Sequence, residues 1–188
     1  MSIRRERGRA AAAQAAVALV SFLLVLLVWV LTHPHGGVAA AVAQGKRPPA
    51  PQFSLQPLTG SRRVTLSAYA GRVVVVGFWA SWCGPCKAEA PGLEQAWQKW
   101  RSHLVSFVGV DVRDSQSDAQ AFAKATHLSY PLAHDGSSTT AQLYGVDALP
   151  ATFVVSPSGR VVYSHVGPLS EPELSRQISR ALDAAGAG

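Results

Sequence analysis

Seven consecutive residues, Val73-Val74-Val75-Val76-Gly77-Phe78-Trp79, carry no charge and no polar alternation. A run of β-branched and aromatic residues without a polar face reads as a strand buried on both sides. It leads directly into Ala80-Ser81-Trp82-Cys83-Gly84-Pro85-Cys86-Lys87, after which a helix is predicted from near Gly84 to about Arg101. Pro85 suits the first helical turn, where its missing N–H leaves nothing unpaired, and Pro91 inside the helix is predicted to kink it.

The surrounding pattern alternates strands with helices. Phe53-Ser54-Leu55 and Arg63-Val64-Thr65-Leu66 read as an edge hairpin, and Ser106 to Val112 as a second buried strand. Ser117 is the expected cap of the next helix, with Ala121, Phe122 and Ala125 toward the core and an end near His127. A strand is expected between His127 and His134, and a short helix over 139–144. Thr152 to Val155 and Arg160 to Tyr163 form a hairpin across Ser156-Pro157-Ser158-Gly159. A final amphipathic helix starts near Glu171, with Leu174, Ile178 and Leu182 at helical spacing. The class is α/β, with a central mixed sheet flanked by helices.

The front of the chain is of another kind. Arg4, Arg5, Arg7 and Arg9 against Glu6 supply half of the net charge of +6, so the surplus does not describe a basic nucleic-acid-binding face. From Ala10 to Leu31 no residue is charged, and a helix of that length spans roughly 33 Å, enough for a bilayer core. The segment is expected to be a transmembrane anchor, with the arginines cytoplasmic, Trp29 at the interface and the remainder extracytoplasmic. Ala41-Val42-Ala43 offers the alternative of a cleaved signal. Residues 32–52, with Pro34, Pro48, Pro49 and Pro51, read as a linker, in which His33 and His35 are solvated rather than metal ligands. Residues 53–188 remain as one domain.

Only two cysteines are present, Cys83 and Cys86, at the predicted helix start. The partial positive charge there favours a thiolate, which points to redox chemistry with Cys83 the more exposed, attacking sulfur and Cys86 the more shielded. Zinc would need four ligands, and no histidine has suitable spacing. Haem attachment would need a histidine where Lys87 stands. An inert disulfide would close too small a loop to stabilise much. Neither a metal nor a cofactor is expected.

The segment from Val76 to Pro91, containing Trp82-Cys83-Gly84-Pro85-Cys86-Lys87, resembles the active site of the membrane-anchored TlpA/ResA/DsbE branch of the thioredoxin superfamily. Leu149-Pro150-Ala151-Thr152-Phe153 resembles its second landmark, a cis-proline beside the catalytic disulfide. The resemblance implies a thioredoxin-like fold with an N-terminal hairpin and a central strand–helix insertion. It gives Trp82, Leu149 and Pro150 to substrate binding, with Leu149 acting through its main chain. Gly84, Pro85 and Lys87 complete the active-site loop. Glu89 matches the family's acidic residue beside the thiols, the alternative being an exposed first-turn glutamate. Gly77 departs from relatives that carry aspartate or asparagine there, which leaves proton handling for Cys86 to Glu89, Lys87 or water.

The resemblance implies a thiol-disulfide oxidoreductase that reduces extracytoplasmic protein disulfides such as that of apocytochrome c. A transmembrane electron donor of the CcdA or DsbD type would supply it. The alternatives are a dithiol oxidase, a thiol peroxidase, against which Ala80 stands where threonine is expected, and a non-enzymatic holdase.

Overall fold

A computed structural model of the chain describes residue 14 and residues 18–29 and 37–186. The chain divides into two units, Met1–His35 and Gly36–Gly188. In the first, residues 18–29 are helical with exposed apolar side chains. Among the described residues no helix is long and apolar enough to cross a membrane. The ends of the expected anchor, Ala10 and Leu31, lie outside the described residues.

The second unit is built on a seven-stranded sheet. In chain order its elements are α1 (Val38–Ala43), β1 (Ser54–Pro57), β2 (Val64–Thr65), β3 (Val73–Trp79), α2 (Gly84–Trp100), β4 (Val105–Val112) and α3 (Gln116–Ala125). There follow β5 (Leu132–Asp135), α4 (Thr139–Tyr144), β6 (Ala151–Val155), β7 (Val161–Val166) and α5 (Glu171–Gly186), and a 3-10 turn covers Leu66–Tyr69. The strand order is β2-β1-β5-β4-β3-β6-β7. The central strands β3, β4 and β5 are parallel, while β6, β7, β1 and β2 join antiparallel.

The apolar run of β3 is buried on both faces because alternate valines enter different cores. Val74, Val76 and Phe78 pack with Tyr144 and Phe153 on one side. Val73 and Val75 pack with Phe107, Leu174 and Ile178 on the other. Each such side chain contributes about 1.5–3 kcal/mol through removal from water. Pro91 lies inside α2 without ending it.

Several expectations are corrected. Ser115, not Ser117, caps α3, because its Oγ accepts the Asp118 N–H at 3.1 Å. Ala119 and Phe122 face the core while Ala121 and Ala125 are exposed. The strand expected before His134 includes that residue.

The segment read as a linker is part of the domain over 37–52. Val38 and Ala50 are buried in the main core, Pro49 pairs with Arg160, and the Tyr144 hydroxyl donates to the Pro51 carbonyl at 3.1 Å. Gly37 lies so close to Gly145 that a Cβ on Gly37 would sit 2.6 Å from the Gly145 nitrogen. Proline content signals an extended backbone, but here the extended segment is docked rather than free.

Candidate active site

Strand β3 and helix α2 meet at a disulfide between Cys83 and Cys86, with S–S 1.98 Å and Cα–Cα 5.2 Å. Cys83 is the N-cap of α2, and its Sγ accepts the Cys86 N–H at 3.2 Å. A donor that the helix leaves unpaired is thus aimed at sulfur, which stabilises negative charge on that atom once the bond is reduced. Gly84, Pro85 and Lys87 form the exposed rim of the turn.

The expected contrast between an exposed and a shielded sulfur is corrected: Cys83 and Cys86 are 5% and 3% exposed. Both sit in one apolar cluster with Leu58, Trp79, Ala90 and Phe122. Trp82, which the resemblance gives to substrate binding, is 60% exposed, and its indole N–H donates to the Arg113 carbonyl at 2.9 Å.

The Leu149–Pro150 peptide is cis. Leu149 packs against the cluster that holds both cysteines. Its own N–H and carbonyl have no backbone partner among the described residues, whereas the Pro150 carbonyl accepts the Gly167 N–H at 2.8 Å.

Glu89 lies one turn beyond Cys86 and is buried, which overturns the exposed-glutamate alternative. Its Oε1 accepts the Leu169 N–H at 2.8 Å. Burial pushes its carboxyl up to about 7, offset only in part by the Leu169 hydrogen bond. Glu89, Cys86, Gly77 and Thr152 line a cavity of about 20 Å³, room for about one water molecule. The Thr152 hydroxyl and the Trp79 indole N–H, also on this cavity, are buried without a protein partner. Gly77 keeps the space open, since a Cβ there would meet nothing within 4 Å.

Sequence reasoning missed a second polar group beside the site. Asp111, fully buried on β4, is hydrogen-bonded to His134 on β5, with Oδ2 and Nδ1 2.7 Å apart. Asp114, in the loop after β4, accepts the Ser81 N–H at 2.6 Å and the Ser81 hydroxyl at 3.0 Å. Asp111 was the one charged residue in an otherwise uncharged buried strand, and that was the available signal.

This arrangement pairs two sulfurs with a buried proton acceptor and an open peptide edge, which suits exchange between dithiols and disulfides. Residues 47–164 match the AhpC/TSA family. The chain is 34% identical over 122 residues to the thiol-disulfide oxidoreductase ResA of Bacillus subtilis, covering 65% of this chain and 68% of that protein. A structure from Chlorobium tepidum, described as a thiol:disulfide interchange protein DsbE, is 35% identical with a TM-score of 0.67, covering 72% of this chain and 96% of that one. A secreted Mycobacterium tuberculosis disulfide oxidoreductase homologous to E. coli DsbE is 26% identical with a TM-score of 0.63, covering 69% and 96%. With its thioredoxin-like fold and its Cys83–Cys86 pair, the chain belongs to the AhpC/TSA family and is a thiol-disulfide oxidoreductase of the ResA/DsbE type.

Proposed function

We propose that the protein is a membrane-anchored, extracytoplasmic reductase of protein disulfides, with an apocytochrome c Cys-X-X-Cys-His site as its client. The observation that carries this reading is the cysteine pair at the start of α2, in one cluster with Leu149 before the cis-Pro150.

In the reaction, the Cys83 thiolate attacks one sulfur of the client disulfide, and the other client sulfur leaves as a thiolate. Cys86 loses its proton and attacks Cys83, which closes the protein disulfide and releases the second client thiolate. Two electrons pass from protein to client. The buried Glu89 carboxylate takes the Cys86 proton, either directly or through the small cavity they share, and its raised proton affinity suits that task. Trp82 offers an exposed apolar contact, and the unpaired main chain of Leu149 offers strand-type hydrogen bonds to an extended client. A membrane dithiol donor of the CcdA or DsbD type returns the electrons. The arginine-rich start and the exposed apolar side chains over 18–29 support the anchor and its orientation.

The test is trapping in cells with the full-length Cys86→Ser chain. Covalent Cys83–client disulfides carrying the Cys-X-X-Cys-His peptide are expected, and Cys83→Ser abolishes them. A wild-type pair trapped mainly as the disulfide would assign the reverse direction, that of a dithiol oxidase.

A further inference from the structure

The sheet has a trough on the face that α2 covers. At one level the register across β6, β3, β4 and β5 runs Thr152, Gly77, Gly109 and Leu132, so two neighbouring strands carry no side chain there. Over Gly109 the gap is filled, since a Cβ would lie 2.5 Å from a Leu132 methyl carbon and 3.1 Å from the Tyr130 ring. Over Gly77 it is open, with nothing within 4 Å of a Cβ. Cys86 and Glu89 of α2 close this opening from above, and the space left is the cavity of about 20 Å³.

Thr152, the cross-strand partner of Gly77, lines that cavity with a buried hydroxyl that no protein group satisfies. Packing does not call for the hydroxyl. The next residue of β6 on the same face is Val154, fully buried, and valine has the shape of threonine without a polar atom to desolvate. The Trp79 indole N–H is buried without a protein partner as well, on a ring that lines the same cavity and 3.0 Å from where a Gly109 Cβ would stand. Glu89 engages Leu169 through Oε1, and its other oxygen has no hydrogen bond among the described residues. A space of this size holds one water, which needs about two to four polar partners, and side chains lining so small a space touch the same molecule.

We propose that Thr152 is a positioning residue for the resolving step, its hydroxyl fixing one water over Gly77 between Cys86 and Glu89. Gly77 supplies the room, and Thr152, across the ladder from it, supplies the polar group that glycine lacks. The Trp79 indole N–H is the water's second anchor.

The inference rests on Glu89 as the acceptor of the Cys86 proton. Cys86 gives its S–H proton to the water, and the water gives one of its own to the Glu89 carboxylate, so the water is unchanged. The Cys86 thiolate then attacks Cys83, the bond between Cys83 and the client breaks, and the client sulfur leaves with the electron pair. When a dithiol donor later attacks Cys83, Cys86 leaves as a thiolate and recovers the proton by the same path. Glu89 thus stores the proton while the protein is oxidised.

The experiment follows the mixed disulfide in time. Reduced full-length protein is mixed with an oxidised peptide, quenched in acid and read by mass spectrometry, which separates formation of the Cys83–peptide disulfide from its decay. Thr152→Val should leave formation unchanged and slow decay by about 10- to 100-fold, a part of what a positioned acid–base group contributes. Thr152→Ser, which keeps the hydroxyl, should restore the decay. Thr152→Val that decays like the wild type and melts at a higher temperature would overturn the proposal, because the hydroxyl would then be only a buried polar group. Thr152→Val that slows both steps alike would overturn it too, as a general distortion of the site. Glu89→Gln that decays like the wild type would instead overturn the assignment of the proton acceptor. A crystal structure of the oxidised wild type needs no variant: one water is expected within hydrogen-bond distance of Thr152 Oγ1 and the Glu89 carboxylate, and a dry cavity refutes the proposal.

Discussion

The Leu169 amide donates to the Glu89 carboxylate across 80 residues of sequence, and it is the only hydrogen bond that this carboxylate makes among the described residues. One neutral donor does not compensate for burying a charge, so the carboxyl is raised to about 7.

That shift fixes a sign. Between about 4.5 and 7 the folded state holds a proton that the unfolded chain releases. The contribution of this group is fully present below about 4.5 and is lost as pH rises through 7. The whole effect is about 3 kcal/mol. Glu89→Gln keeps the acceptor for Leu169 and removes the charge. Its melting temperature should exceed that of the wild type at pH 8 by several degrees, and the difference should shrink as pH falls and vanish below about 4.5, as read by calorimetry. The same variant should slow closure of the mixed disulfide in a stopped-flow assay.

Gly77 borders the cavity next to Cys86, has no left-handed backbone, and has open space where a Cβ would point. Gly77→Ala is expected to stabilise the fold by up to about 1 kcal/mol through the unfolded chain. It should also narrow the cavity and slow proton loss from Cys86. Urea unfolding and single-turnover reduction of a client disulfide measure the two effects separately.

Gly145 ends α4 at φ 72° with Gly37 against it, so a side chain there is strained twice. Gly145→Ala should cost more than about 1 kcal/mol. A chain beginning at Pro49 should also unfold at lower urea than one beginning at Gly37, since burial of Val38 alone is worth about 1.5–3 kcal/mol. Equal midpoints would show that α1 adds nothing to the domain.

Trp82→Phe preserves an aromatic face and removes the N–H that reaches Arg113. A loss of about 0.5–1.5 kcal/mol is expected in thermal unfolding. Client affinity should hardly change if the exposed ring acts through its apolar surface, which a binding titration with an oxidised peptide will read.

The legible parts of the fold were those whose signal is local. The bounds of β3, α4 and the start of α5 follow from apolar periodicity and flanking turns. The cap of α3 was misplaced at Ser117, although Ser115-Gln116-Ser117-Asp118, a serine with an acid three residues later, carried the signal for Ser115. β5 was hard to bound because half of its residues are polar, and their partners are distant in sequence. His134 is satisfied by Asp111, and Asp135 by the Ala141 N–H at 3.0 Å. Glu89 was ambiguous for the same reason, since its burial depends on a segment 80 residues away. The two cysteines and the proline were visible as motifs, but the Ser81–Asp114 clamp exists only after β3 and β4 lie side by side.

Strand β7 ends the sheet, and an end strand is a template for a second chain. Here Pro48 accepts the Val161 N–H and Ala50 donates to Gly159, so the start of β7 is already occupied by the protein's own N-terminal segment, while α1 packs against the strand. An exposed aromatic ring such as Trp82 on the same domain as an open strand edge would favour self-association. The docked segment lowers that risk by closing this border of the sheet, so self-association should be a property of chains that have lost residues 37–50.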